Sequence, residues 1–166
     1  MFEDSVDGFI ARWRAHATDG FAFARAEGSP LLEVAVGDAV LQLFERTGPY
    51  EAPTGPVRLV LHAVASTWTR ASSAAFEGAP SLSAVGPARL RVAGRVIESE
   101  APLVVVDAGV PVVLGLDPGS SGTSGVPDAF PEVGSWLTCD TLAPAHGFVL
   151  RSTGPRGPAG SPDDQV

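Results

Sequence analysis

The sequence predicts an all-β domain: a small closed or partly open antiparallel barrel, with a β-sandwich as the alternative and at most one or two short helices. Several segments alternate polar and apolar residues with the period of two that suits a half-buried strand. Gly and Pro separate these segments at short intervals, and no segment carries a convincing long helical pattern. Together these observations favour seven or eight short strands that enclose one core.

The strongest strand pattern occupies residues 88–116. Residues 89–98 alternate in polarity, and two apolar runs rich in valine follow at residues 103–106 and 110–114. The Asp107-Ala108-Gly109 segment between them predicts a hairpin, because Gly supplies the positive φ that a tight reversal needs. The continuous apolar character of the two runs predicts strands that are covered on both faces.

The beginning of the chain is ambiguous. Residues 4–16 place apolar side chains on one helical face, with Asp4 or Ser5 as a cap, but Gly8 weakens a helix. We expect a strand here, or a short helix that leads into one. Residues 18–20 predict a turn, and residues 21–27 predict a strand.

Four further predictions cover the middle of the chain. Residues 31–36 and 39–46 predict two strands joined at Gly37-Asp38. Residues 57–69 predict a strong strand with its odd-numbered residues on one face and its even-numbered residues, including His62 and Trp68, on the other. Residues 47–56 predict a surface loop. Residues 71–87 are small and polar and are interrupted by Gly and Pro, so we expect a soft, loop-like segment that allows a short helix at 72–76.

The last third of the chain predicts two more strands and an unstructured end. Residues 117–130 are rich in Gly and Ser and predict a flexible loop, after which residues 131–142 and 145–150 predict a final pair of strands. Residues 151–166 carry no apolar pattern. We therefore expect a single β-rich domain over residues 1–150 and a disordered tail over 151–166.

The order of these features resembles an OB-type barrel at the level of the fold. The resemblance covers about residues 57–150 and rests on three short marks. They are the Gly94-Arg95-Val96 strand, the hairpin at Asp107-Ala108-Gly109 and the closing strand at residues 133–137. No particular family is identified. The resemblance implies a small barrel of a kind that binds oligonucleotides or other ligands on its surface.

Composition limits the partners and the compartment. The chain has 11 arginines, no lysine and a net charge of −8, in a composition typical of a GC-rich, bacterial genome. Such an acidic chain repels a phosphate backbone, which disfavours broad nucleic-acid binding. The N-terminal residues lack the pattern of a signal peptide and no apolar run is long enough for a transmembrane helix, so we expect a cytoplasmic protein with no membrane partner.

No residue pattern indicates catalysis, a cofactor or a metal. Cys139 is the single cysteine and lies in a strand-like segment, where we expect a buried, inert thiol. The histidines His16, His62 and His146 share no metal-ligand spacing. The tryptophans Trp13, Trp68 and Trp136 fit core positions better than stacking platforms. The sequence therefore gives no positive evidence for an enzyme.

One charged cluster has a definite geometry. Arg89, Arg91 and Arg95 share one face of a predicted strand, and with His62 and Trp68 from a neighbouring strand they predict a basic, aromatic patch. Such a patch suits single-stranded nucleic acid or an anionic ligand. The alternative is an ordinary solvent face whose arginines pair with acids on the next strand.

Three functions follow from these observations. The favoured hypothesis is a non-catalytic barrel module that binds another protein, as an accessory, adaptor or immunity-type protein, because the chain is acidic and rich in loops. The second is an OB-like binder of single strands or of an anionic ligand. The third is a small ligand carrier or enzyme with a pocket at the barrel mouth, and a filled barrel interior would count against it.

Overall fold

The computed structural model describes residues 5–47, 54–71, 78–117 and 129–151. Within these ranges the chain forms one short helix, a 3-10 turn and ten strands. In chain order they are α1 (Val6–Trp13), the 3-10 turn (Arg14–His16), β1 (Thr18–Ala22), β2 (Leu31–Val36), β3 (Ala39–Glu45), β4 (Gly55–Ala71), β5 (Ser81–Gly86), β6 (Arg89–Glu100), β7 (Leu103–Asp107), β8 (Pro111–Gly115), β9 (Trp136–Thr141) and β10 (His146–Val149). The predicted all-β small barrel is confirmed.

Five strands form the closed barrel, in the order β1-β2-β3-β10-β4. The ring closes because β1 pairs with β2 along one edge and with β4 along the other. All of its pairings are antiparallel except that between β3 and β10, which run parallel with His146 beside Phe44. The ends of β3 and β10 therefore point the same way and meet at one end of the barrel.

The remaining strands are attached to the long strand β4, which has 17 residues. Strand β8 runs parallel to β4, and β7, β6 and β5 follow in antiparallel order. Strand β9 lies between β6 and β4, so this second set also returns to β4. The three marks that resemble an OB-type barrel lie in this second circuit of five strands (β4, β8, β7, β6 and β9) and in the segment that leads into β9, not in the first ring.

A bulge in β4 changes which of its residues face the core. Up to Ala65 the odd-numbered residues are in the main core, as predicted. The register then shifts between Ala65 and Thr67, and the core position passes to an even-numbered residue, Trp68. The predicted placement of Trp68 on the face opposite to Leu61 was therefore wrong, because one extra residue reverses the alternation of a strand.

Residues 6–13 form a helix, so the expectation of a strand in this segment was wrong and the alternative of a short helix that leads into a strand is confirmed. The hydroxyl of Ser5 accepts a hydrogen bond from the backbone N–H of Gly8 at 3.0 Å, which caps the helix. Phe9 and Trp13 are buried in a second apolar cluster with Phe148. The burial of these rings outweighs the helix-weakening effect of Gly8.

The predicted turn at residues 18–20 was also wrong, because these residues belong to β1. Thr18 and Asp19 lie beside Leu59 and Arg58 of β4. The Thr-Asp-Gly composition is typical of a turn, but pairing with β4 overrides that local preference. Residues 23–30 then connect β1 to β2 without a strand, so the strand predicted over 21–27 ends at Ala22.

The hairpin of the strongest sequence segment is confirmed. Strand β7 ends at Asp107, whose carboxylate accepts a hydrogen bond from the N–H of Gly109 at 3.1 Å, and Gly109 has φ 90°. Val104 and Val106 face the main core while Val105 packs in the cluster beneath α1, so β7 is covered on both faces as predicted. On β6, Gly94 lies so close to the carbonyl of Asp107 that no Cβ fits there.

Strand β5 occupies part of the segment that the sequence predicted to be soft. Its side chains are exposed or half-buried, so it gives no apolar signal. The possible helix at 72–76, most of the loops at 47–56 and 117–130, and all but Arg151 of the tail at 151–166 lie outside the described residues. In the part of the chain that is described, no helix has the length and apolarity to cross a membrane.

Candidate functional site

The three arginines of β6 share one exposed face, as their alternation predicts. Arg91 donates two hydrogen bonds to the carboxylate of Asp140 on β9, from Nε at 2.7 Å and from Nη2 at 3.1 Å. Arg89 donates to the carbonyl of Thr141 at 3.2 Å, and Arg95 donates to the carbonyl of Gly134 at 3.1 Å. Each guanidinium of this arginine face (Arg89, Arg91 and Arg95) therefore has a partner within the chain.

The pKa values of Arg91 and Asp140 are shifted in the directions expected of two groups that bind each other. The hydrogen bonds from Arg91 lower the pKa of Asp140 below its usual range, against the opposing effect of burial. The same hydrogen bond and the negative charge of Asp140 raise the pKa of Arg91. This is the geometry of a solvent face whose arginine pairs with an acid on the next strand.

The structure places His62 and Trp68 away from the arginine face. Trp68 is 1% exposed in the main core, and its indole N–H donates to the carbonyl of Asp117 at 3.4 Å. His62 is 2% exposed on the other face of β4, where Nδ1 donates to the carbonyl of Val113 at 3.0 Å and the ring lies 5.0 Å from that of Phe9. The five residues predicted as one patch thus occupy an exposed face and two buried clusters.

The remaining candidates for chemistry are also engaged in the fold. Burial, and then the charge of Asp140, raise the pKa of Cys139 to about 12, so the thiol carries no thiolate near neutral pH. Within the described ranges, no three His, Cys, Asp or Glu side chains are grouped so that they could hold a metal ion. His62 and His146 are neighbours, with ring centroids 6.0 Å apart, although nothing in their spacing predicted it.

Two sets of ion pairs that the sequence did not reveal stabilise connections between elements. Arg12 and His16 bind the carboxylates of Glu100 and Glu98 at 2.5 and 2.6 Å, which ties the N-terminal segment to β6. Glu45, at the end of β3, is 2% exposed, and Arg25 lies 2.5 Å from its carboxylate. These contacts hold helix and loop in place and expose no reactive group.

The outer side of β1, β2 and β3 carries apolar side chains that remain in contact with solvent. Phe21 is 46% exposed, Val40 54%, Leu31 51% and Phe23 37%. The strand register aligns Phe21 with Pro56 of β4 on one side and with Ala35 of β2 on the other, and Ala35 in turn with Val40. An apolar row therefore crosses four neighbouring strands.

We call this surface the apolar face; its residues are Phe21, Phe23, Leu31, Ala35, Val40 and Pro56. The rings of Phe21 and Phe23 meet edge to face with centroids 5.7 Å apart. Exposed carboxylates lie on this side of the sheet too, because Asp19 precedes Phe21 on the same side of β1 and Glu33 lies between Leu31 and Ala35 on β2. Arg58 lies opposite Asp19 in the register of β1 and β4, and Glu33 separates Leu31 from Ala35, so the apolar face has charges of both signs at its edge and one carboxylate within it.

Sequence reasoning missed the apolar face because an apolar residue in a strand is ordinarily assigned to the core. The signal that was present is that β3 is apolar on both sides, with Leu41 and Leu43 inward and Val40 outward. A strand of this kind is expected where both faces are covered. On β3 the face with Leu41 and Leu43 is covered, whereas Val40 on the other face is exposed.

Neither the family models nor the curated proteins nor the solved structures contain a match to this chain.

Proposed function

We propose that this protein is a non-catalytic β-barrel module that binds another protein through the apolar face, as an accessory, adaptor or immunity-type protein in the bacterial cytoplasm. The observation that carries the proposal is the row of Pro56, Phe21, Ala35 and Val40 across four adjacent strands. Contiguous exposed apolar surface of this kind marks interaction sites on otherwise polar proteins. Covering it removes hydrocarbon from water, which favours association.

The composition of the face suits a protein partner. Phe21 and Phe23 offer two large rings that lie against each other, and aromatic side chains are enriched among the residues that dominate binding energy. Asp19 and Arg58 supply charges of both signs at the edge of the face, and Glu33 supplies a carboxylate within it. The partner expected from this arrangement has an apolar patch that contains an Arg or Lys placed to pair with Glu33, and the net charge of −8 would speed the approach of a basic partner.

The OB-like alternative receives some support from the same surface. The closed ring has five strands, as an OB-type barrel does, and such barrels bind oligonucleotides on the face of their second and third strands. Phe21 and Phe23 would provide stacking surfaces for bases. However, the Glu33 carboxylate within the face and the net charge of −8 repel phosphates, and the arginine face lies on β6 with its guanidinium groups engaged. A protein partner therefore fits better.

The packing counts against one form of the third hypothesis, a carrier or enzyme whose ligand enters the interior of the barrel. Side chains of the barrel strands such as Leu41, Leu43, Leu59 and Leu61 are fully buried in the main core. A filled interior leaves no room for a ligand inside the barrel.

The test is a comparison of two double variants that remove the same kind of exposed side chain from different places. Phe21→Ser/Val40→Ser removes the centre of the apolar face, whereas Ile97→Ser/Leu142→Ser removes apolar side chains that are 42% and 51% exposed elsewhere. Wild-type protein and both variants are immobilised, host proteins are captured and identified, and the affinity of each captured protein is measured by calorimetry. We expect the face variant to lose at least about tenfold in affinity while the control variant retains it.

Three outcomes would overturn the proposal. The first is a partner that binds the face variant as well as it binds wild type. The second is self-association that disappears in the face variant, since the face would then join two copies of this chain. The third is Phe21-dependent binding of a single-stranded oligonucleotide at about 50 mM salt, the condition that most favours such binding, which would establish the OB-like alternative.

A further inference from the structure

A cleft of about 480 Å³ lies between α1 and the ends of β3 and β10, at the end of the barrel where those two parallel strands finish. Three arginines from three different elements line it: Arg14 from the 3-10 turn, Arg46 directly after β3, and Arg151 just after β10. Asp7 is the acidic side chain of the lining. The three arginines of the cleft thus contrast with the negative net charge of the chain, which is −8.

The rest of the lining is apolar and is held by the core. Val6, Ile10 and Leu150 line the cleft and pack against the cluster that contains Phe9, Trp13 and Phe148. The arginine-bearing ends are fixed as well, because the backbone N–H of Arg46 donates to Gly147 at 3.0 Å and that of Leu150 donates to Arg58 at 2.8 Å. The wall of the cleft is therefore formed in advance, as in small-molecule sites of this size.

We propose that this cleft binds small organic carboxylates that carry an apolar chain. Arginine guanidinium groups bind carboxylates through paired, charge-assisted hydrogen bonds, which places the anionic group of the ligand near Arg14, Arg46 and Arg151. Val6, Ile10 and Leu150 then contact the chain and remove it from water. Among the described residues of the lining, three arginines outnumber the one carboxylate, Asp7, so the anionic end determines the orientation. This site lies at the end of β3 and β10, whereas the apolar face lies on the outer side of β1 to β3.

The experiment measures binding of decanoate by calorimetry, with decanol, hexanoate and inorganic phosphate as comparison ligands, all below micellar concentration. We expect decanoate to bind at least about tenfold more tightly than decanol, which lacks the charge, and than hexanoate, which has the shorter chain. Amide chemical shifts should move around Ile10, Arg46 and Leu150. Decanol binding equal to decanoate, or phosphate binding equal to decanoate, would overturn the proposal.

Matched charge variants locate the anionic group. Arg14→Gln removes an exposed arginine of the cleft, and we expect it to weaken decanoate binding by about tenfold. Arg70→Gln removes another exposed arginine, from the far end of β4 outside the cleft, and we expect it to leave the affinity unchanged. Equal losses in the two variants would mean that only overall charge matters, which would contradict a site at the cleft.

The result is independent of the proposed protein partner. The Phe21→Ser/Val40→Ser variant should bind decanoate as wild type does, because neither residue lines the cleft. If that variant loses decanoate binding while Arg14→Gln retains it, the ligand binds the apolar face and the proposal for the cleft fails.

Discussion

The arginine face and the apolar face are both exposed surfaces of one continuous sheet, but only the side chains of the arginine face have hydrogen-bond partners within the chain. On β6, Arg91 is held by two hydrogen bonds to Asp140, and Arg89 and Arg95 bind carbonyl oxygens of neighbouring segments. On β1, the Phe21 ring is 46% exposed. The arginines that the sequence predicted to bind a ligand are already hydrogen-bonded within the chain. The apolar side chains of segments that the sequence predicted to be ordinary strands remain exposed to solvent.

The two kinds of exposed side chain differ in how favourably water solvates them. A guanidinium group in water is well solvated, and a partner on the next strand gives it a structural role at little cost. An exposed aromatic ring has no such compensation, and each 100 Å² that a partner covers contributes roughly 2.5 kcal/mol before the costs of association. The candidate interface is therefore better located by what the fold leaves uncovered than by where charge is dense.

The largest expected effect concerns aromatic side chains on the two sides of the sheet. Trp68→Ala removes a fully buried indole, and we expect it to lower the free energy of unfolding by about 3–5 kcal/mol, because a large cavity remains. Phe21→Ala removes a half-exposed ring, and we expect a change of about 0.5 kcal/mol or less. Urea unfolding followed by circular dichroism measures both values. A loss below about 1 kcal/mol for Trp68→Ala would place Trp68 on a solvent face, as simple alternation predicts.

Trp68 also lies beyond the point in β4 at which the period of two no longer predicts which face a residue occupies. The period of two correctly placed Val57, Leu59 and Leu61 in the core, because a regular strand alternates its faces. The bulge between Ala65 and Thr67 depends on pairing with β9, about 70 residues away in the chain, and no local signal announces it. The same limit explains why the pairing of β1 with β4 overruled the turn composition of residues 18–20.

The two faces were predictable to different degrees for a related reason. Arg91 and its neighbours alternate with apolar residues, so the sequence correctly placed them on one exposed side of β6, but the distance to Asp140 depends on how β9 returns. Phe21 and Val40 are apolar residues that the fold leaves outside, and sequence alone assigns such residues to the core. The hairpin at Asp107–Gly109 was predictable because its cause is local.

The second comparison is between the reactivity of the thiol of Cys139, which lies beneath the arginine face, and that of a cysteine introduced on the apolar face. With its pKa raised to about 12, Cys139 should react with a thiol reagent at mildly alkaline pH roughly 10³-fold more slowly than an ordinary cysteine. A Val40→Cys/Cys139→Ser variant, with its thiol at a position that is 54% exposed, should react at the rate of unfolded protein. Ellman's reagent measures both rates. Fast labelling of Cys139 in folded protein would mean that β9 opens readily and that the arginine face is not a closed surface.

The smallest expected effect concerns the Arg91–Asp140 pair itself. Because the pKa of Asp140 is lowered in the folded protein, the pair stabilises the fold above the ordinary aspartate pKa of about 3.9, and this contribution is lost as the pH falls through the lowered value. Arg91→Gln should therefore unfold at a slightly lower urea concentration than wild type near neutral pH. Below the folded pKa of Asp140 the two proteins should unfold at the same concentration.

Removing the acid instead of the arginine tests whether internal pairing is what keeps the arginine face from binding anions. Asp140→Asn leaves Arg91 without its carboxylate, so this face should gain measurable affinity for inorganic phosphate, detected as shifts of the Arg91 and Thr138 amides. Asp38→Asn removes the same charge from the β2–β3 turn and should leave those amides unchanged. Phosphate binding at Arg91 in the wild-type protein would show that the pairing with Asp140 yields readily to an external anion. The arginine face would then be as open to ligands as the apolar face, and the contrast between the two surfaces would disappear.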